Sequence, residues 1–251
     1  MFVASTKYTR AVDIKKLKFI YLAIERYANR KSKELTDLNI LEVGCGPGGI
    51  TFPLTSLGCQ VRAFDIGEES LKFIKSKIER SNIKNLTVTL DNGYTFNDGK
   101  TYDIVIASEV FEHVLEPSKL AANITKRMTE GSYLIITTPN GYGPWEMKNY
   151  LNPINHLKRW NFLRRQFGKS PYVFGNGKDH CQFYTKKRLT NLFSEISLKL
   201  IRFIKSDSLL TFFPLLTSIN FIGKFDTKLA DILPYQFASG WYFVFEMENK
   251  S

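Results

Sequence analysis

Short apolar runs alternate with amphipathic segments along most of this 251-residue chain. The runs are rich in β-branched residues and are bounded by polar residues, so they indicate strands. The predicted strands cover residues 39–43, 59–66, 86–90, 102–108, 132–138, 198–206 and 240–248. Strands separated by helices at this spacing are typical of a parallel, doubly wound sheet, in which the ligand lies beyond the carboxyl ends of the strands.

Helical periodicity links these strands. Leu17, Ile20, Ile24 and Ala28 recur at helical spacing, which predicts an amphipathic helix over 11–31. Further helices are predicted over residues 48–57, 68–81, 117–129 and 186–194. A long insert separates the last two strands, which favours an antiparallel final strand over a second nucleotide-binding half. The sequence therefore predicts an α/β fold, a Rossmann-like, doubly wound seven-stranded sheet whose last strand is antiparallel, with helical cap insertions.

The pattern divides the chain into an N-terminal helical segment, residues 1–34, and one domain, residues 35–251, with insertions at about 140–185 and 207–239. The second insertion is rich in leucine and phenylalanine. It can form a cap that lines a pocket, or it can lie on a membrane surface. Pro214 and Gly223 interrupt any long amphipathic helix, so we expect the cap.

Composition narrows the class of protein. A hydrophobic content of 43% and a charged content of 24% are typical of a folded chain. No apolar run is long enough to span a bilayer, and the N-terminus has no apolar signal-peptide core. The three cysteines form no C-x-x-C pair, which argues against a disulfide framework and a zinc site. We therefore expect a reducing cytoplasm.

The net charge of +11 is concentrated in the two flanks of the chain. Residues 1–40 carry nine basic and four acidic residues, and residues 150–251 carry fifteen and seven. The middle of the chain has two more acidic than basic residues. Basic flanks indicate either an anionic partner, such as a phosphorylated substrate, a nucleic acid or an acidic membrane surface, or a surface that only keeps the protein soluble.

The segment LEVGCGPGGI, residues 41–50, places a glycine-rich loop after the first strand. Gly44, Gly46 and Gly49 fit the G-x-G-x-x-G pattern of a dinucleotide site. Glu42 followed by Gly44, Gly46 and Gly48 fits the E-x-G-x-G-x-G pattern of an S-adenosylmethionine site. The loop alone does not decide between the two cofactors.

Polar residues at the ends of the next strands support a nucleoside ligand. Asp65 ends the second strand nineteen residues after Gly46, where a carboxylate can accept hydrogen bonds from ribose hydroxyls. Asp91 follows the third strand, where it can accept from an adenine amino group. Ser108 and Glu109 end the fourth strand in the segment YDIVIASEVFEHV. The dinucleotide alternative, an NAD-dependent oxidoreductase, also needs a second half-fold, and none is apparent.

With these motifs, the sequence resembles the class I S-adenosylmethionine-dependent methyltransferases over about residues 35–205. The likeness is to the branch that carries an E-V-x-E-H-V motif, which includes the quinone-biosynthesis O-methyltransferases. The resemblance implies S-adenosyl-L-methionine as cofactor. It also implies transfer of a methyl group, and we expect the acceptor atom to be an oxygen of a small or lipid-linked molecule.

The resemblance also implies a role for each residue of the cofactor site. Glu42 would orient the loop and meet the ammonium of the methionine part, while Gly44 and Gly46 would let the backbone approach the cofactor closely. The remaining implied contacts are Asp65 with the ribose hydroxyls, Ile66 with the adenine face, Asp91 and the Asn92 backbone with the adenine edge, and Ser108 beside the sulfonium.

The acceptor side is less defined. The segment KDHCQFYT is similar to an H-x-x-F-(F/Y)-(S/T) segment of this branch, and by that resemblance His180 faces the acceptor. An imidazole there can serve as general base, or it can simply bind backbone and close the pocket. His156 is predicted to be a surface residue. No N-P-P-Y signature is present, which disfavours DNA and protein-glutamine substrates.

Two alternatives stay open for the function. An RNA methyltransferase would use the basic flanks to hold phosphates, but the sequence contains no recognised RNA-binding module. A non-catalytic binding protein would retain the fold without the reaction. We expect a small or lipid-linked acceptor, anionic if the basic flanks bind it, and a peripheral membrane contact is the alternative use of the second insertion.

The segment EVFEH raises the question of a metal. If Glu109 begins a helix, then Glu109, Glu112 and His113 lie on one face and could hold a divalent cation such as Mg²⁺. Acidic residues in a first helical turn are equally favoured by the helix dipole alone. We predict that no metal is bound.

Overall fold

The computed structural model describes residues 10–144, 180–208 and 220–249. A seven-stranded sheet forms its centre, in the order β3-β2-β1-β4-β5-β7-β6. The strands are β1 (Asn39–Val43), β2 (Gln60–Asp65), β3 (Leu86–Leu90), β4 (Tyr102–Ser108), β5 (Met128–Pro139), β6 (Leu198–Lys205) and β7 (Gly240–Met247). The first five strands pair in parallel, whereas β7 is antiparallel to both β5 and β6. The predicted fold class is confirmed, including the antiparallel last strand.

Six α-helices flank this sheet in the described part of the chain. They are α1 (Ala11–Lys31), α2 (Thr51–Ser56), α3 (Glu68–Ser81), α4 (Pro117–Thr125), α5 (Lys186–Ser194) and α6 (Asn220–Ile232). Two are shorter than predicted. The left-handed backbone at Gly48 (φ +83°) delays the start of α2, and β5 already begins at Met128, which ends α4 early. None of these helices is long and apolar enough to cross a membrane.

The two faces of the sheet bury separate hydrophobic clusters. Successive side chains of a strand point to opposite faces, so in β4 Ile104 contributes to one cluster and Val105 to the other. Helices α1, α2 and α3 cover the first face, and α4 and α5 cover the second. In α1, Phe19 and Ile24 are fully buried in the first cluster. The N-terminal helix thus packs on the sheet, and its assignment to a separate segment stays a prediction.

The described part of the second insertion is anchored at the carboxyl edge of the sheet. Asp226 of α6 is buried and accepts hydrogen bonds from the backbone N–H and the hydroxyl of Ser208, which follows β6. After β5, the buried Asn140 amide donates to the carbonyls of Gln236 and Ala238. The insertion therefore lies over the edge where parallel strands place their ligands. The first insertion falls largely outside the described residues.

Candidate active site

The glycine-rich loop is fixed between β1 and β2. The N–H groups of Gly44 and Cys45 both donate to the Phe64 carbonyl, at 2.9 and 3.1 Å. Gly44 has a φ of +68°, and a Cβ there would lie 2.7 Å from Cγ2 of Val110. Both backbone conformation and packing thus require glycine at this position.

Gly46 is constrained by its backbone alone. Its φ is +50°, yet a Cβ built there would meet no heavy atom within 4 Å. The loop therefore presents bare backbone to open space at the carboxyl edge of β1. A ligand that packs against the main chain itself fits such a surface.

Asp65 ties this loop to the end of β2. One carboxylate oxygen accepts from the Gly46 N–H at 2.7 Å, and the other accepts from the Gly67 N–H at 2.8 Å. Each oxygen keeps a further lone pair for another donor. The structure places Asp65 at the end of β2 and beside the loop, where it bridges the two segments.

Glu42 is buried beneath the loop and accepts a hydrogen bond of 2.6 Å from the Thr51 hydroxyl. Thr51 is the first residue of α2, so this bond fixes the far end of the loop. Burial raises the pKa of the Glu42 carboxyl to about 8. The sequence pattern identified Glu42, but nothing in it indicated Thr51.

The ends of β2 and β3 leave apolar side chains uncovered. Ile66 is 68% exposed and Leu90 is 52% exposed, although both adjoin buried strands. An adenine ring is a ligand that would cover such groups. Asp91 accepts from the N–H of Asn92 at 2.7 Å. The Asn92 backbone donor predicted for the adenine edge is therefore already engaged by Asp91.

A chain of hydroxyls links the ends of β4 and β5. The Thr137 hydroxyl donates to the Glu109 carboxylate at 2.7 Å, so Ser108, 2.7 Å from Thr137, must donate to that same hydroxyl. Lys16 of α1 lies 3.9 Å from the Glu109 carboxylate. Sequence reasoning missed Thr137, because only the pairing of Ser108 with Thr137 in the two strands reveals the contact.

The expectation that Glu109 begins a helix is wrong. Glu109 has a left-handed backbone, with φ +55°, and only a 3₁₀ turn, Phe111–His113, follows. The helical spacing that would align Glu109, Glu112 and His113 is therefore absent. A non-glycine residue in this conformation directly after a sheet strand is a form of strain found at functional sites.

The structure instead brings His180 to this turn. The rings of His113 and His180 meet edge to face, with centroids 4.9 Å apart. The backbone N–H groups of Cys181 and Gln182 donate to the Glu112 carbonyl. These bonds hold the 180–182 segment against the turn, whereas His156 lies outside the described residues. Nothing in the sequence pattern linked His180 to His113, since 66 residues separate them.

Glu112, His113 and His180 offer ligand atoms that all lie within 4.8 Å of one another. Within the described ranges this is the group that could hold a cation, and Glu109 is not part of it. Burial, reinforced by the neighbouring Glu109 carboxylate, raises the pKa of Glu112 well above its ordinary value. A protonated carboxyl is a poor ligand, and the absence of a metal at this turn stays a prediction.

Known proteins share both the sequence pattern and the fold. The chain is 32% identical over 119 residues to the ubiquinone biosynthesis O-methyltransferase of Rickettsia akari, covering 47% of this chain and 46% of that protein. It is 33% identical over 127 residues to the corresponding protein of Rickettsia bellii, covering half of each. The aligned region thus spans about half the length of these relatives.

Solved structures show the fold at lower identity. Magnesium protoporphyrin IX methyltransferase from Synechocystis, solved with bound S-adenosylhomocysteine (SAH), superimposes with a TM-score of 0.58 at 15% identity, covering 94% of this chain and 84% of that one. A methyltransferase from Methanosarcina mazei described as S-adenosylmethionine-dependent gives 0.57 at 16% identity, covering 86% and 94%. Residues 15–202, three quarters of the chain, match the methyltransferase domain family. The chain therefore belongs to the methyltransferase domain family.

Proposed function

We propose that this chain transfers a methyl group from S-adenosyl-L-methionine to a hydroxyl oxygen of a small or lipid-linked acceptor. The observation that carries the proposal is the Gly46–Asp65 pair, in which bare loop backbone and a carboxylate face the same open edge of the sheet. Family membership supports methyl transfer. The names of the relatives, ubiquinone biosynthesis O-methyltransferases, support oxygen and a lipid-linked acceptor.

The chemical groups at this edge are of the kinds that would bind this cofactor. Asp65 would hold the ribose hydroxyls through its remaining lone pairs, and the exposed Ile66 would cover the adenine. Asp91 and Asn92 would meet the adenine edge, once the bond between them opens or shifts. Gly44, Gly46 and the buried Glu42 would shape the loop around the methionine part, with Ser108 beside the sulfonium. When bound, S-adenosylmethionine supplies a methyl group made electrophilic by its sulfonium.

The protein's own task is then to position the acceptor, exclude water and receive one proton. Positioning two reactants at contact distance supplies much of the rate in such a displacement. His180 would take the proton of the acceptor hydroxyl as general base. Its ring is held in place by His113 and by the backbone bonds of the next two residues to Glu112.

The acceptor is proposed to be anionic because the net charge of +11 is concentrated in the two flanks of the chain. A reducing, cytoplasmic location is proposed on a separate ground. Cys45 and Cys59 are buried free thiols, which is typical of a reducing compartment.

The test supplies the purified chain with S-adenosylmethionine labelled in its methyl group and with a cell extract separated into lipid and RNA fractions. We expect label in the lipid fraction and none with Asp65→Ala. The matched control is Asp37→Ala, which alters an exposed carboxylate before β1. Label that appears in RNA contradicts the proposal, and label in neither fraction contradicts a lipid-linked acceptor.

A further inference from the structure

Helix α6 has its polar and apolar faces reversed relative to an ordinary surface helix. Its inward side carries Asp226, Thr227 and Ala230, all buried. Its outward side carries Phe221 and Ile232, which are 80% and 83% exposed. A surface helix normally buries its apolar face and exposes its charges. The reversal is possible because Asp226 is held by two hydrogen bonds from Ser208 instead of by water.

The outward residues form one continuous surface. At about 100° per residue, positions 221, 224, 225, 228 and 232 fall within roughly a 100° arc of the helix. We call this surface the aromatic face; it consists of Phe221, Lys224, Phe225, Lys228 and Ile232, all of which are exposed. Exposed apolar groups gathered in this way mark an interaction surface.

We propose that the aromatic face docks on an anionic lipid bilayer. Aromatic and aliphatic side chains interspersed with lysines are the composition of helices that lie in the membrane interface. Lys224 and Lys228 are exposed on the same side as Phe221 and Phe225, so the charge faces the same partner as the apolar groups. A second copy of the chain would bring its own lysines and its own charge of +11 to the contact. Charge complementarity therefore selects an acidic surface.

The position of the face connects docking with the site. Lys15 of α1 donates to the Thr227 carbonyl and pairs with Asp231, both in α6. One residue further along α1, Lys16 lies near Glu109 at the end of β4. The aromatic face and the candidate site therefore share the carboxyl edge of the sheet. A lipid-linked acceptor, which rests on the proposed function, would reach the site from the bilayer without crossing water.

The experiment is flotation of the full chain with vesicles of phosphatidylcholine, alone or with phosphatidylglycerol. We expect flotation with the anionic vesicles and its loss at high salt, since exposed charges are screened there. Phe221→Ser with Phe225→Ser should lower the partition coefficient at least about tenfold, because two aromatic side chains that would insert into the bilayer are lost. Lys224→Glu with Lys228→Glu should lower it by a similar factor.

The matched control is Phe73→Ser with Lys75→Glu, an exposed pair on α3, and it should bind like the wild type. Thermal unfolding and SAH binding confirm that each variant is folded. The proposal is overturned if the wild type does not float, if the control loses binding equally, or if sedimentation shows that the aromatic variants convert a dimer to a monomer. No acceptor or methyl transfer is needed, so failure of the proposed function leaves this readout intact.

Discussion

At the scale of single residues, the candidate site depends on a few buried or strained residues, and several of these could be identified from the sequence. Glu42, Gly46 and Asp65 could be named because their spacing matches a known pattern. The side chains that form hydrogen bonds with the site residues could not be named in this way. Thr51 and Thr137 became visible only when helix and strand pairing placed them beside Glu42 and Ser108. Spacing along a chain identifies groups on one loop, whereas contacts across strands need the register.

Glu42 makes stability depend on pH in a defined window. Its pKa rises from an ordinary 4.5 to about 8 in the fold because of burial, so the folded chain keeps a proton that the unfolded chain releases. Stability is therefore lost as pH rises from about 4.5 to about 8, by at most about 1.4 kcal/mol per pH unit. Glu42→Gln stays neutral and should gain stability relative to the wild type across that window.

Thermal unfolding of the chain without cofactor at a series of pH values measures this difference. Glu34→Gln, an exposed position, is the matched control and should follow the wild type. A constant offset between Glu42→Gln and the wild type from pH 5 to pH 8 would show that Glu42 is ionised throughout.

His180 is predicted to act on the acceptor and not on the cofactor. Loss of a general base typically lowers the rate by about 10²–10⁴-fold. We expect His180→Gln to lower kcat within that range while the Kd for SAH stays unchanged. Cys181→Ser, one residue away, should leave both values near wild type. If His180→Gln retains full kcat, the ring has a structural role only.

At the scale of elements, the periodicity gave strands and helices within a few residues, and its failures have local causes. Helix α2 starts late at a left-handed glycine, and the segment after β4 turns at Glu109 where a helix was expected. The pattern of apolar residues carries no information about backbone dihedral angles. A left-handed conformation at a non-glycine residue such as Glu109 is also rare, so it is not expected from the sequence. The reversed faces of α6 were also hidden, since a pattern alone does not say which face packs inward.

The second insertion is predicted to serve the acceptor side and not the cofactor site. Deleting residues 209–232 removes α6 but leaves the glycine loop, Asp65 and the ends of β2 and β3 intact. We expect the shortened chain to bind SAH like the wild type and to lose methyl transfer. Asp226→Ala, which removes the hydrogen bonds between α6 and Ser208, should give a partial loss. A shortened chain that methylates at the wild-type rate would contradict the cap assignment.

The turn after β4 is predicted to work without a metal. Burial and the neighbouring Glu109 carboxylate raise the pKa of Glu112, which disfavours the charged carboxylate that a cation would bind. We expect methyl transfer with the true acceptor to be unchanged after treatment with a chelator and after addition of Mg²⁺. Loss of activity and full rescue by Mg²⁺, both absent in Glu112→Gln, would show instead that this turn binds a cation.

At the scale of the whole molecule, the fold was predictable because alternating strands and helices leave few topologies. The antiparallel β7 followed from the long insert before it, and the sheet order agrees. The net charge of +11 could be counted from the sequence, but the sequence did not show which basic residues are available to a partner. Lys15 and Lys16, for example, form ion pairs with Asp231 and Glu109 within the molecule. Basic residues indicate a binding partner only where several of them are exposed on one face, as Lys224 and Lys228 are on α6.

The most direct test is calorimetric titration of SAH into the wild type, Asp65→Ala and the control Asp37→Ala. We predict micromolar-range binding to the wild type and the control. Asp65→Ala should weaken binding at least about a hundredfold, because each charge-assisted hydrogen bond contributes about 1.5–3 kcal/mol and the link to Gly46 is also lost. Unchanged affinity in Asp65→Ala, or tighter binding of a nicotinamide dinucleotide than of SAH, would contradict the proposed cofactor site.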